Sequence, residues 1–457
     1  MKSGKDEWGH AWPLFFKAFG EYKSPIQTYT AIPFIALGGL NEFSIRSVSV
    51  LYSLLGIVAI FLLGRSFYDS KTGLTSALLL AICPWSVHIS RNSLEGLMAF
   101  VFFTTIGLYF WHEYSKKNSK YHIILLAVIS FALALYSYFP ARIFIPPLIL
   151  FLLVSYRNQL INRRGLIALL LLGSLALPMI IHSLWGPGMT RWEQVSGDLK
   201  FNKFIENYIQ HYSIDYLFLK GDIGFPSQFI TRHSIKGIGE LYSFQLPFLI
   251  IGLFYLFRQI KKNTSRILLF LFLTYPIADS LTSVSSPQAT RSIIGLLPLS
   301  IITALGIINF LKLYKGKLMM IAALFIILAM TNSFGNFLQK LDKYPQYSSD
   351  YWGWQSGPKQ IIAYFIEHQS EYDQFFLSPD FNSPYIFYKF YDPQSNCLNC
   401  QVGGIDVYSS EKKQLFAIRN ENLNFWEEKG FRLDIIEQFI FPNGEPSFAL
   451  AQPYLLF

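Results

Sequence analysis

The chain has 457 residues, of which 52% are hydrophobic, 17% aromatic and only 15% charged, and its mean hydropathy is +0.32. That composition agrees with a membrane protein. The formal net charge of +9 calls for no nucleic acid, because the basic residues concentrate in short loops between apolar runs, where orientation and anionic lipid head groups account for them.

In chain order, residues 1–43 read as a first outer loop. It holds a short apolar stretch at 26–37, too short to cross a bilayer and better suited to an interfacial helix. Ten apolar spans follow, at 44–64, 74–90, 94–110, 123–139, 143–154, 166–184, 244–256, 267–281, 292–311 and 318–331. Every second connection is basic: Arg65 and Lys71; Lys116, Lys117 and Lys120; Arg157, Arg163 and Arg164; Arg258, Lys261, Lys262 and Arg266; Lys312, Lys315 and Lys317. These loops are expected on the cytoplasmic side. The others carry isolated charges, such as Arg91, Glu95, Arg142 and Arg291, or are long, as at 185–243, and are expected outside. Both ends of the chain, 1–43 and 332–457, are then extracytoplasmic. Residues 1–12 are polar with no signal peptide before them, so a natural first helix is expected upstream of Met1 to carry them across.

The tail at 332–457 is aromatic-rich but polar, with turn signals at Ser378-Pro379-Asp380, Asp392-Pro393 and Pro442-Asn443-Gly444. It reads as a small extracytoplasmic α/β module, with a helix at 359–368 and strands at 374–377, 385–388 and 404–408. Cys397 and Cys400 form a lone C-x-x-C; zinc lacks a second ligand pair, while a local disulfide and two free thiols both stay open. The fold class is mainly α: a polytopic membrane protein of about ten transmembrane helices, a 44–331 transmembrane domain and the 332–457 module.

Ionisable groups at the membrane edge are costly unless paired or used, and four polar clusters fall at outer ends of spans. The first is Asp6-Glu7 with the segment ending in Lys23-Ser24-Pro25. The second runs from Ser90-Arg91 to Glu95, where Arg91 and Glu95, four apart, could share a helix face and simply pair. The third is Tyr136 to Arg142 with Tyr138 inside it, for which an aromatic belt with a snorkelling arginine is the plain alternative. The fourth joins Asp222 and Arg232-His233 of the long loop to Arg291, with loop anchoring as its plain alternative. An outer cavity ringed by Lys23, Arg91, Arg142, Arg232 and Arg291 suits a phosphorylated ligand, because arginine offers a bidentate fork and lysine a point charge. No G-x-x-x-x-G-K-[ST] is present, which disfavours a nucleotide-sugar donor.

Asp6-Glu7-Trp8-Gly9 through Phe15 to Pro25, then Gly39 to Arg46, Gly64-Arg65, Ser90-Arg91 with Glu95, Tyr138 to Arg142, and Arg291 before an apolar span, resemble the bacterial membrane glycosyltransferases of the family 39 type. Their relatives include protein O-mannosyltransferases and aminoarabinose transferases of lipid A. The resemblance implies a C-type multi-helix fold and transfer of a sugar from a polyprenyl-phosphate donor to a protein, lipid or glycan acceptor on the outer face of the bilayer, at a multi-pass site in the cell membrane. It makes Asp6, Glu7 and Glu95 the catalytic candidates, with Asp6-Glu7 similar to the family's second Asp-Glu and the principal acid expected upstream of Met1. Lys23 matches the lysine of a Lys-Pro-Pro-like motif that holds the carrier phosphate, with Ser24 in place of the first proline. Arg91, Tyr138, Arg142, Asp222, Arg232, His233 and Arg291 are the further substrate-binding candidates. No cofactor is required by the resemblance, which leaves a divalent metal ion open. The competing classes are a lipid or solute transporter, against which stands the lack of half-to-half symmetry, and an O-antigen ligase or polymerase, which also uses a lipid-linked donor.

Overall fold

The computed structural model describes residues 4–18, 20–116, 119–160, 162–197 and 200–455; Phe19 of the first motif and Lys117 of the second basic loop lie outside them. The described chain divides into two compact units, one of 1–229 with 233–339 and one of 230–232 with 340–457.

The first unit opens with a hairpin of β1 (Phe16–Ala18) and β2 (Glu21–Lys23). Pro25 then starts α1 (Pro25–Gly38), its fixed φ suiting the first helical position. Asn41 caps α2 (Glu42–Phe67) by accepting the Ser44 amide, and Asp69 caps α3 (Ser70–Ile82) by accepting that of Thr72. Pro84 ends α3 and begins α4 (Pro84–Ser90), which turns away by 57°. Next come α5 (Leu97–Tyr114), α6 (Tyr121–Leu135), α7 (Ala141–Ser155), α8 (Arg157–Leu160) and α9 (Arg163–Leu184). The long connection that follows is folded, with α10 (Thr190–Ser196), α11 (Phe201–Gln210) and a π-helical turn at Asp215–Lys220. The unit closes with α12 (Gln245–Arg258), α13 (Asn263–Thr274), α14 (Ile277–Ser280), α15 (Leu296–Leu311) and α16 (Gly316–Lys343), the last running on into the second unit.

Helix occupies each of the ten expected spans, with 74–90 and 267–281 each broken in two by a proline. By length and composition, four helices can cross a bilayer alone among the described residues, and five if α3 and α4 count as one bent span. The span ending in α15 is the centre of the unit, 89% of its apolar window being buried, whereas only 11% is for α16. Glycine lets α12 approach α15: a Cβ on Gly306 would lie 1.7 Å from the Phe248 carbonyl oxygen, and one on Gly252 1.9 Å from that of Ile302. Small residues at such crossings let helix backbones touch.

The second unit is an α/β module. Its elements are α17 (Pro358–Glu367), β3 (Gln374–Leu377), α18 (Tyr385–Tyr391), β4 (Cys400–Val402), β5 (Gln414–Arg419), α19 (Leu423–Glu428), β6 (Phe431–Ile440) and β7 (Pro446–Leu455). The sheet order is β4-β3-β5-β7-β6, with β3 parallel to β4 and to β5 and the remaining pairs antiparallel. Both faces are covered: Phe375, Leu377 and Leu415 pack with Ile361 and Phe365 of α17, while Phe376 and Phe416 pack with Ile405 and Leu433. That is why β3 reads as a continuous apolar run. Two expected strands are not strands. Residues 385–388 begin α18, because Pro384 precedes them and Phe387 and Tyr391, four apart, stack on one helix face. Residues 404–408 hold a 3-10 turn, and the strand lies just before them at Cys400–Val402. Cys397 and Cys400 are joined in a disulfide with Cα atoms 5.4 Å apart.

Because the α12–α15 crossing leaves no room for a side chain, Gly306→Ala is expected to lower the thermal unfolding temperature in detergent, corresponding to about 1–3 kcal/mol of overpacking. An unchanged melting temperature would contradict the close approach.

Candidate active site

Strand geometry sets the first step. Glu21 and Lys23, two apart on β2, project to one side of the hairpin. The Lys23 ammonium bonds the Glu21 carboxylate on that side and reaches Oε1 of Glu95 at 2.6 Å, from 72 residues further along the chain. Glu21 is buried, and its second oxygen lies 3.2 Å from Nε of Arg191 on α10. Burial works to lower the Lys23 ammonium, but Glu95 and Glu21 outweigh it and hold the group above its ordinary value.

The Glu95 backbone has φ 40, in the left-handed region that costs a non-glycine residue about 1–3 kcal/mol. What holds it there is its neighbour: a Cβ on Gly96 would lie 2.2 Å from the Ser137 carbonyl oxygen, so this loop is pressed against the 136–140 turn. The same approach puts Glu95 within electrostatic range of the Tyr138 hydroxyl and the Arg142 guanidinium. Tyr138 is buried. Arg142 donates from Nη1 to the Gly188 carbonyl at 2.9 Å and lies over the rings of Phe139 and Phe15 at 4.8 and 5.6 Å. Its Nε and Nη2 are buried without a hydrogen-bond acceptor among the described residues. It lines an apolar cavity of about 390 Å³ between α6, α7, α9 and α10, with Phe139, Met179, Leu184 and Trp192.

A second, closed network lies around the end of α13 and the long connection after α9. Asp279, fully buried, accepts from Arg291, from Ser286 at 2.9 Å and from the Gln288 amide at 2.8 Å, and Nε2 of His211 is 2.9 Å away. Asp222, also fully buried, accepts from the Ser234 hydroxyl and the Ala289 amide, with His233 Nδ1 at 4.0 Å. Its own amide donates to Glu240. Burial pushes the Asp222 carboxyl up to about 6 against the pull of Ser234 and Ala289, and burial together with Asp222 pushes Glu240 well above the carboxylate range. These contacts pin the 211–240 segment to the 279–291 segment. The Thr290 side chain lies beside the Tyr138 hydroxyl and so brings this network next to the first.

The expected residues therefore separate. Lys23, Glu95, Tyr138 and Arg142 come together. Asp222, His233 and Arg291 form the anchoring network, where their polar atoms serve the fold. Arg232 belongs to the second unit and donates to the Gly353 carbonyl at 3.1 Å. Asp6 closes its own exposed loop, accepting from the amides of Trp8 and His10 with the His10 ring at 3.1 Å, and Glu7 is exposed on the same turn. The expected Arg91–Glu95 helix face does not exist: Arg91 ends α4, the chain breaks, and Glu95 pairs with Lys23. Sequence reasoning gave no role to Glu21, Arg191, His211, Glu240 or Asp279. Asp279 had a readable signal, an acid inside an apolar span; Arg191, one charge in a long loop, had none. Among the described residues no three His, Cys, Asp or Glu side chains stand together as metal ligands, and Glu21 and Glu95 have an ammonium between them.

Residues 22–185 match the family model described as dolichyl-phosphate-mannose-protein mannosyltransferase. The fold is that of the C-type glycosyltransferases. The matched residues include Lys23, Glu95, Tyr138 and Arg142. Among solved structures, the chain is similar to the Archaeoglobus fulgidus oligosaccharyltransferase tethered with an acceptor peptide, at 12% identity and a TM-score of 0.53, over 94% of this chain and 66% of that one. It is also similar to ArnT from Cupriavidus metallidurans bound to undecaprenyl phosphate, at 10% identity and a TM-score of 0.50, over 96% of this chain and 90% of that one. An uncharacterized protein of Aquifex aeolicus is 30% identical over 120 residues, 26% of this chain and 24% of that protein. The chain thus spans about a quarter of that relative's length.

In this C-type fold, the buried Asp222 carboxyl gives the anchoring network a pH signature. With its folded pKa raised from 3.8 to about 6, the folded state binds the proton more tightly than the unfolded chain, so stability is lost as pH rises from about 4 to about 6 and is level above that. The loss is on the order of 3 kcal/mol. Thermal unfolding of wild type and Asp222→Asn across pH 4 to 7 should show the difference between them shifting against wild type through this window; parallel pH profiles would contradict the assignment.

Proposed function

We propose that the chain is a membrane glycosyltransferase that moves a sugar from a polyprenyl-phosphate donor to an acceptor on the extracytoplasmic side. The observation that carries this reading is a cationic cluster beside an apolar cavity. Lys23, Arg191 and Arg142 stand against two carboxylates, Glu21 and Glu95, and Arg142, which keeps two guanidinium nitrogens without acceptors, is a lining residue of the cavity. A ligand with an anionic head and a long apolar chain fits both features at once. Undecaprenyl phosphate, the ligand of the ArnT structure, has that chemistry.

The reaction is an inverting displacement. The acceptor oxygen attacks the anomeric carbon, the bond from that carbon to the phosphate oxygen breaks, and the electron pair leaves with the phosphate. Lys23 and Arg142 stabilise the charge that develops on the leaving phosphate. Glu95, 37% exposed and bonded to Lys23 through one oxygen only, takes the acceptor proton as general base. Glu21 does not touch the reacting atoms; it is a positioning residue that holds Lys23 and Arg191 in place. On this reading the basic loops face the cytoplasm and the hairpin side of the first unit faces outward.

Transfer of radiolabelled sugar from a set of polyprenyl-phosphate sugars into membrane acceptors tests this reading. Lys23→Ala should raise KM for the carrier and lower kcat/KM about 100-fold, the scale of one charge-assisted contact to phosphate. Glu95→Gln should lower kcat about 100-fold or more with little change in KM. Unchanged transfer by both variants would overturn the site.

A further inference from the structure

The second unit carries a cavity that the transfer reaction does not use. In its sheet, β4, β3 and β5 are parallel, so their carboxyl ends lie along one edge. The chain leaves β3 through α18 towards β4 and leaves β5 through α19 towards β6 and β7, in opposite directions. The β3–β5 boundary is therefore a topological switch point, where the diverging loops leave a crevice outside the strand ends. A cavity of about 330 Å³ occupies that place, lined among others by Ser378, Asp380, Asp406, Asn422, Phe425 and Trp426. Its size falls within the range of about 300–1,000 Å³ typical of small-molecule sites.

The lining decides the ligand class. Asp380 Oδ2 accepts from the buried Ser378 hydroxyl and from Asn422 Nδ2, both at 2.9 Å, so the carboxylate is oriented and its other oxygen is left for a ligand. Asp406 stands opposite on the loop after β4, exposed and without a partner among the described residues. No lysine or arginine lines the cavity, so phosphates, sulfates and carboxylates meet two acids and no counter-charge. Phe425 is 50% exposed and lies with Trp426 on α19, which offers flat apolar plates next to the acids. Carboxylate acceptors, an amide that both donates and accepts, and exposed aromatic faces complement a neutral ligand with many hydroxyls on its rim and C–H groups on its face. We propose that this cavity is a saccharide-binding site of the second unit. On the transferase reading, this site would grip the glycan part of an acceptor.

Saturation-transfer difference NMR on the full chain in detergent micelles tests the site, with mannotriose, cellotriose and chitotriose as probes. At least one trisaccharide should receive saturation at its ring protons at about 10 mM, as expected for a dissociation constant in the millimolar range. Phe425→Ala and Asp406→Asn, both at exposed positions where folding is not at stake, should each reduce that transfer at least fivefold. No transfer to any of the three from wild type overturns the proposal, as does equal transfer in wild type and both variants, which would place binding elsewhere. Sugar transfer from polyprenyl-phosphate donors is measured on the same preparations. Binding lost in the variants but no sugar transfer in wild type supports the pocket and overturns only the transferase reading. Sugar transfer without trisaccharide binding overturns only the pocket.

Discussion

One ammonium group between two carboxylates organises the site. Lys23 ties the β1–β2 hairpin to the loop between α4 and α5 through its bond to Glu95, 72 residues further on. Glu21, buried, is tolerable as a carboxylate because Lys23 and Arg191 both reach it; a buried charge stripped of its partners is strongly destabilising. The left-handed Glu95 backbone is likewise over-determined, by Gly96 packed on the Ser137 carbonyl and by the Lys23 bond. Strain of that kind persists only where the surroundings enforce it. The cluster is therefore cooperative: hairpin, α4–α5 loop and α10 hold each other through four charges.

The two polar networks of the first unit meet at Tyr138 and differ in how far they are satisfied. Asp279 accepts from a guanidinium, a hydroxyl and an amide, and a histidine ring nitrogen stands within 3 Å, at 2.9 Å. Nothing remains on it for a ligand, and it is out of water. Such a network rigidifies, and here it fixes the long outer connection against the start of the central span. Around Lys23 the balance is reversed. Arg142 keeps two nitrogens without acceptors beside an apolar cavity, and Glu95 keeps solvent access. Groups left unsatisfied in a partly dry place are costly, and a ligand that completes them recovers that cost.

The spans were legible because a bilayer demands long apolar runs, and every one of the ten coincides with helix. Their breaks were less so: Pro84 and Pro276 each divide a run whose hydropathy is continuous. In the second unit the strand at Gln374–Leu377 stood out through its apolar residues, whereas Tyr385-Ile386-Phe387-Tyr388, equally rich in strand-favouring types, is helical because Pro384 starts a turn of helix and Phe381 receives the Phe387 ring. Local preference lost there to context. For the site, position at the outer ends of spans was enough to gather Lys23, Glu95, Tyr138 and Arg142. Which of them pair was not readable, since Arg91 lies four residues from Glu95 and Lys23 lies 72, and proximity in sequence favoured the wrong partner. Arg232 adjoins His233 in sequence, yet the two belong to different units.

The Lys23–Glu95 bond also links carrier binding to catalysis on the proposed reading. A carboxylate hydrogen-bonded to an ammonium is a weak base, because the bond favours its charged form. A donor phosphate, a diester with one negative charge, arriving among Lys23, Arg191 and Arg142 competes for the same ammonium protons as Glu95. Once Lys23 turns to the phosphate, the Glu95 carboxylate is freed from its cation and open to an acceptor hydroxyl. Glu21 cannot make the same exchange, since it is buried and held from its other side by Arg191. The asymmetry between a buried acid with two cations and a half-open acid with one thus assigns them different work: the first keeps the cations in place, and the second waits for the carrier to release it.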